Sequence, residues 1–306
     1  EIQHMLPSLI YRAKEVCLMS DKITIRSSLK DKKNFTELPD LRKGIIDVAP
    51  TTPLMANYAV NSVANCLHPA VQYLKVKQFE EMNKNIFIYI LEPDASMGTA
   101  KIAYFRPGQV LDIYIENNGV KITGTYTICS SPLRSTNNEY VIILNNAHKT
   151  DATDFITTNF KNGTKVQASA PYGLFYYQAI RDNNHIVAIC DNTGYEPFLS
   201  MAESIADGTL NVDLTLIYTA RKHSDIIMAE RFEELSQTKH FKFVIVLSDE
   251  HVFKCERGFI TKSLIEKYAP TNKYSLFINA SDDVLKTTAP HIEELNLESN
   301  RIRYNK

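Results

Sequence analysis

"GTYTICSSPLR", residues 124–134, decides the reading of this chain. A glycine, then Thr-Tyr-Thr-Ile, is a short β-prone run, because β-branched and aromatic side chains suit a pleated, half-buried surface. Ser-Ser-Pro ends it, since proline has no N–H to give to a ladder. On either side the same texture recurs, in "VQYLKVKQFEEM", "NIFIYILEP", "AKIAYF", "QVLDIYIE", "EYVIILNN" and "TKVQASAPYG". Alternating runs of this length with turn residues between them predict a six-stranded antiparallel β-barrel over 71–180. "DATDFITTNFKNG" (151–163) is its one helical interruption, with Gly163 as the expected C-cap.

From 184 onward, apolar runs and helical patterns alternate. "HIVAICD", "VDLTLIYTA", "FKFVIVLSD" and "YSLFINAS" read as buried strands; "EPFLSMAESIAD", "DIIMAERFEELSQ" and "FITKSLIEKYA" read as helices. That order predicts a Rossmann-like α/β domain with a parallel five-stranded sheet over 184–306. Ligands of such sheets gather at the carboxyl ends of the strands. Residues 1–70 form an expected helical N-terminal extension, from the periodic "SLIYRAKEVCLM" and "LMANYAVNSVANCL".

Composition narrows the function. Among 306 residues, 34 basic and 35 acidic side chains leave a net charge of −1, with no long block of either sign, which argues against a nucleic-acid surface. The longest apolar runs are strand-sized, well short of the roughly 18 residues of a membrane span. The opening residues lack a basic leader, so no signal peptide is expected. Five scattered cysteines, none at iron–sulfur or zinc spacing, suggest reduced thiols, a cytoplasmic setting, no metal site and no iron–sulfur cluster in this chain.

A barrel followed by a parallel α/β domain, with Tyr-Thr-x-x-Ser in a barrel strand, resembles the ferredoxin–NADP reductase superfamily. Four other stretches agree in order: "YFRPGQ" (104–109), "VQASAPYGLF" (166–175), "CDNTGYEPFLSM" (190–201), and "LIYTARKHSDIIMAERFEEL" (216–235) with "FKFVIVLSDE" (241–250). The likeness covers about residues 70–306. It implies an FAD-binding barrel and an NAD(P)-binding domain, and a flavoprotein oxidoreductase moving electrons between NAD(P)H and an external carrier. That carrier would be an iron–sulfur protein, or a ferredoxin-like domain or subunit. By the same likeness Tyr126 packs on the flavin ring and Thr127 lies near its N5, these two being the expected catalytic residues. Cys129, Ser130 and Ser131 line the following turn, Thr153 meets the flavin pyrophosphate, and Gly173 belongs to the Pro-x-Gly-x-Phe segment. Thr193, Gly194, Pro197, Arg221 and Asn279 are the expected nicotinamide-side positions.

Three departures stand against that pattern. Gly124 replaces the arginine that pairs with flavin phosphate, a loss of roughly 1.5–3 kcal/mol, for which Arg134 or Lys149 are the nearest substitutes. Asp191 and Asn192 replace two glycines of the dinucleotide loop and Glu196 a small residue; two carboxylates at its mouth would each repel a pyrophosphate by roughly 3–4 kcal/mol before screening. Asn279-Ala280-Ser281 replaces a Cys-Gly-Pro. The alternative to an active reductase is therefore a reductase-like subunit that has lost nicotinamide binding and serves a complex, with its N-terminal helical segment as the partner surface. A sensor using "DNTGYEP" for another ligand is a third reading.

Overall fold

The computed structural model describes helical positions 39, 40, 42–44 and 47, and residues 69–305 apart from 118, 148 and 270–272. The two helices expected near 8–19 and 54–67 lie outside the described residues. The chain divides into two units, 1–56 and 57–306, and the second of these holds both sheets.

Six antiparallel strands form the first sheet: β1 (Val71–Asn83), β2 (Ile86–Pro93), β3 (Val110–Asn117), β4 (Val120–Thr127), β5 (Tyr140–Asn145) and β6 (Lys165–Ser169), in the order β4-β3-β6-β1-β2-β5. The sheet curls until its edges meet, with Ile128 bridging to Ile142. Side chains alternate as the pleat requires: Leu74 and Val76 of β1, and Leu111, Ile113 and Ile115 of β3, all point into one core. Helix α1 (Asp151–Asn159) covers that core through Ala152 and Ile156.

Two expectations fail here. "AKIAYF" is not a strand: the Ala103 N–H donates to the Gln72 side chain at 2.8 Å, and its carbonyl accepts from Tyr140 Oη at 2.6 Å. Side chains thus satisfy a backbone that would otherwise need a ladder. Gly163 does not cap α1. The helix stops earlier, at Phe160, whose extended backbone sends its ring into the barrel core; Gly163 serves the turn beyond, at φ 86°.

The second sheet is wholly parallel. It contains β7 (His185–Cys190), β8 (Asp213–Ala220), β9 (Phe241–Leu247), β10 (Glu256–Arg257), β11 (Ser275–Asn279) and β12 (Ile302–Tyr304), in the order β10-β9-β8-β7-β11-β12. It has six strands rather than five, because two- and three-residue edge strands leave no periodicity to read. Helices α2 (Glu196–Ala206) and α3 (Ala229–Leu235) pack on one face. On the other lie α4 (Lys262–Tyr268) and α5 (Asp282–Glu293), the last not anticipated from sequence. Covered on both faces, the central strands are continuous apolar runs, as buried parallel strands are.

One core crosses the seam between barrel and sheet: Ile86, Cys129, Ile143 and Phe175 pack with Ile186, Phe198 and Phe277. Ser200 of α2 also donates to the Ser130 carbonyl at 2.7 Å. The terminal strand is anchored by Arg303, whose guanidinium forks onto Asp182 at 2.9 and 2.6 Å and donates to the Leu174 carbonyl at 3.1 Å. Both charged side chains are buried. Removing either partner would leave an uncompensated buried charge, at a cost of about 3–5 kcal/mol.

Candidate functional site: the cleft between barrel and sheet

A cleft of about 330 Å³ opens at the seam. From the barrel, β4 brings Thr125, Tyr126 and Thr127, β5 brings Ile143 to Asn145, and α1 brings Thr153. From the carboxyl ends of the parallel strands come Asn192, Thr193 and Glu196 after β7, and Asn279, the last residue of β11. Asn305, just past β12, completes the wall. This is where open α/β sheets bind ligands.

On the barrel side, Tyr126 is 9% exposed and its hydroxyl is buried without a hydrogen-bond partner. Burial holds the phenol well above the usual tyrosine range, the nearby Tyr89 adding to the effect. The ring lies across Gly124: a Cβ there would stand 2.5–2.8 Å from Oη, Cε2 and Cζ of Tyr126. Gly124 is thus more than a missing cation. Its bare Cα is the floor on which the tyrosine rests.

The elements expected to meet phosphate are less accommodating. Thr150 and Thr153 cap α1 reciprocally, at 3.1 and 3.0 Å, and Asp151 and Asp154 occupy its first turn. Lys149 lies 3.6 Å from Asp154, and Arg134 faces away, on Glu139 at 2.8 Å. Neither replaces the absent arginine in this arrangement.

The loop after β7 is closed on itself. Asp191, 9% exposed, accepts from the Thr193 N–H at 2.8 Å, the Thr193 hydroxyl at 2.7 Å and the Ser281 N–H at 3.0 Å. Asn192 Oδ1 accepts from Tyr218 Oη at 2.7 Å. Gly194 sits so close to β11 that a Cβ on it would be 2.0 Å from the Asn279 carbonyl oxygen. Asn279 Nδ2 returns a hydrogen bond to the Gly194 carbonyl at 3.0 Å. Glu196 opens α2, and burial pushes its carboxyl up to about 8, the Asp191 charge adding to the shift while its own N–H opposes it. Near pH 7 it is mostly neutral. The expected mutual repulsion of two loop carboxylates toward phosphate therefore takes another form: one carboxylate is turned inward and the other holds a proton.

Of the residues singled out from sequence, Tyr126, Thr127, Thr153, Thr193 and Asn279 meet at the cleft. Gly194 and Pro197 shape its loop and helix start. Cys129, Ser130 and Ser131 instead line a larger hollow, of about 510 Å³, between the barrel and α2–α3. Four of its charges pair, Arg231 to Glu203 at 2.7 Å and Arg134 to Glu139 at 2.8 Å, and Asp207 accepts from the Ser131 hydroxyl. Gly173 lies on the segment leaving the barrel, near Val110, and Arg221 is exposed and paired with Asp249 at 2.9 Å. Asn145 and Asn305 carry no motif, and only the strand order brings them in. Among the described residues no three His, Cys, Asp or Glu side chains gather as metal ligands, and no helix is long and apolar enough to cross a membrane.

An antiparallel curled sheet joined to a parallel α/β sheet, with the cleft at their seam, is the fold shared by solved structures of the ferredoxin-reductase type. Within it, residues 189–282 match the oxidoreductase NAD-binding domain family. By sequence the chain is 27% identical over 172 residues to the glycine betaine monooxygenase reductase subunit of Pseudomonas aeruginosa, covering 55% of this chain and 46% of that protein. It thus spans about half the length of the relatives it matches. By structure it resembles the FAD/NAD-binding domain of nitric oxide dioxygenase from Vibrio cholerae, with TM-score 0.65 and 17% identity over 76% of this chain and 97% of that one. It also resembles a ferredoxin NADP+ reductase from Neisseria gonorrhoeae with bound FAD and NADP, with TM-score 0.63 and 15% identity over 77% and 98%.

Proposed function

We propose that this chain is a flavin-linked oxidoreductase of the ferredoxin-reductase type, passing electrons between NAD(P)H and an external redox carrier. In this reading 71–180 is the FAD-binding domain, 184–306 the NAD(P)-binding domain, and 1–70 a helical extension for partner contact. The observation that carries it is the cleft itself, where Tyr126 and Thr127 of β4 face Thr193, Glu196 and Asn279 at the carboxyl ends of the parallel strands. A flavin held there would supply hydride and single-electron chemistry. The chain's own part is to position and exclude. Tyr126 brings a largely buried ring, packed with the barrel core, whose hydroxyl lacks a partner, Thr127 a hydroxyl able to donate or accept, and Glu196 a carboxyl that holds a proton near neutral pH. The resemblance to a reductase subunit supports a separate electron acceptor. The unpaired Cys129, Cys190 and Cys255 support a reducing, cytoplasmic setting.

A second reading, a reductase-like subunit without nicotinamide binding, is favoured by the self-closed loop after β7. Flavin extraction from the purified protein, followed by anaerobic reduction with NADH or NADPH, separates the two. Tyr126→Phe sharpens the flavin assignment. It removes a buried hydroxyl that lacks a partner, so the flavin-free protein should gain about 1 kcal/mol of stability while flavin binds more weakly. Equal flavin affinity in wild type and Tyr126→Phe rejects a role for that hydroxyl.

A further inference from the structure

At the carboxyl ends of β7 and β11, the N–H groups of Thr193 and Ser281 point at one common acceptor, the Asp191 carboxylate. In sheets of this kind, loop N–H groups at these strand ends receive the phosphates of a dinucleotide. Here an acidic side chain of the chain itself holds that place. We propose that Asp191 is a built-in competitor for the dinucleotide's pyrophosphate, which enters the loop only by displacing that carboxylate. The inference rests on reading the cleft as a nicotinamide site.

Three further observations point the same way. The loop gains nothing by opening: Asn192 is spent on Tyr218, and Gly194 is pinned to Asn279. Among the described residues, no lysine or arginine lines the cleft to favour phosphate over carboxylate. In the turn after β8, Arg221 is held by Asp249 at 2.9 Å and the His223 ring lies 3.8 Å from Glu233. A carboxylate tethered two residues from one of its N–H donors, Thr193, acts at high effective concentration, whereas a free phosphate must bring its own binding energy.

Calorimetric titration of the whole chain with inorganic pyrophosphate, NADH and NADPH tests this, on wild type, Asp191→Gly and Asp191→Asn. We expect Asp191→Gly to bind pyrophosphate and at least one dinucleotide at least tenfold more tightly than wild type. The gain should shrink as salt rises, because part of it is charge removal. Equal or weaker binding by an Asp191→Gly protein with an unchanged circular-dichroism spectrum overturns the proposal. Should that variant fail to fold, Asp191→Asn answers instead: it keeps an acceptor for Thr193 but loses the charge, and unchanged affinity there overturns the proposal equally. Flavin content is read separately, from the absorbance of the wild type. The flavin reading and the Asp191 reading therefore stand or fall apart.

Discussion

The two walls of the cleft handle their polar groups in opposite ways. On the barrel wall Tyr126 keeps a buried hydroxyl with no partner, above a glycine that gives it room. On the sheet wall Asp191, Asn192, Thr193 and Asn279 are all hydrogen-bonded within the protein. A buried donor left unmade costs about 1–3 kcal/mol, a deficit that a ligand can relieve. A loop that has satisfied its own donors offers a ligand no such gain. One fold thus presents a wall in want of a partner and a wall that competes with one. The difference lies in a few side chains, not in the strands that carry them.

The largest expected effect comes from putting a methyl group on the closed wall. Gly194→Ala would set a Cβ 2.0 Å from a backbone carbonyl oxygen in β11. Backbone cannot step aside as a side chain does, so loop and strand must part. We expect a loss of about 3 kcal/mol or more, in line with severe overpacking of a rigid site, seen as a large fall in denaturation midpoint. A stability within about 1 kcal/mol of wild type would show that the loop is looser than its hydrogen bonds imply.

A smaller effect concerns Glu196, which belongs to the closed wall but faces the cleft. Its carboxyl titrates near 8 when folded and near the ordinary 4.3 when unfolded. The folded state therefore binds more protons between those values. Its contribution to stability is complete below about pH 4 and is lost as pH rises through 8. One unit of difference is worth about 1.4 kcal/mol. Because Glu196 keeps some contact with water, the net change from pH 5 to 8 is on the order of 2 kcal/mol. Glu196→Gln should lack this slope, so thermal melts of the two proteins across that range should diverge. Parallel curves would mean that the carboxyl is already ionised at neutral pH.

Much of the fold and part of the cleft were legible in the sequence, for physical reasons that differ by region. Alternation in β1 and β3, and unbroken apolar runs in β7 and β8, follow from burial on one face or on two, and periodicity records that. That Tyr126 and Thr127 would line the cleft was legible because the motifs around them follow one another in a single order along the chain. The meaning of Gly124 was not, since the sequence shows a lost arginine and only the fold shows a ring lying in its place. Asp191 read as a repelling charge because its partner Ser281 is 90 positions away. The protonation of Glu196 depends on burial, which no local pattern encodes. The edge strands β10 and β12 are too short to leave a signal, and with β12 went Asn305.

The smallest expected effect is the same substitution as the largest, moved to the open wall. Gly124→Ala also creates a clash on paper, its Cβ falling 2.5 Å from Tyr126 Oη. Here the obstacle is the far end of a side chain that can rotate. The ring should swing off the strand toward the cleft, losing some buried area but releasing a hydroxyl that had no partner. Alanine also restricts the unfolded chain more than glycine does, a gain of about 0.4–1 kcal/mol. These terms nearly cancel, and the net change should stay within about 1 kcal/mol. The displaced phenol gives the readout. With 16 tyrosines and no tryptophan, the ultraviolet band of tyrosinate can be followed as pH rises. Tyr126, now held above the usual range by burial, should join the tyrosines that ionise near pH 10, adding one to the number titrating there before the protein unfolds. A drop in stability as large as that of Gly194→Ala, with no added tyrosine, would mean that the barrel wall is as rigid as the loop across from it, and the contrast between the two walls would be lost.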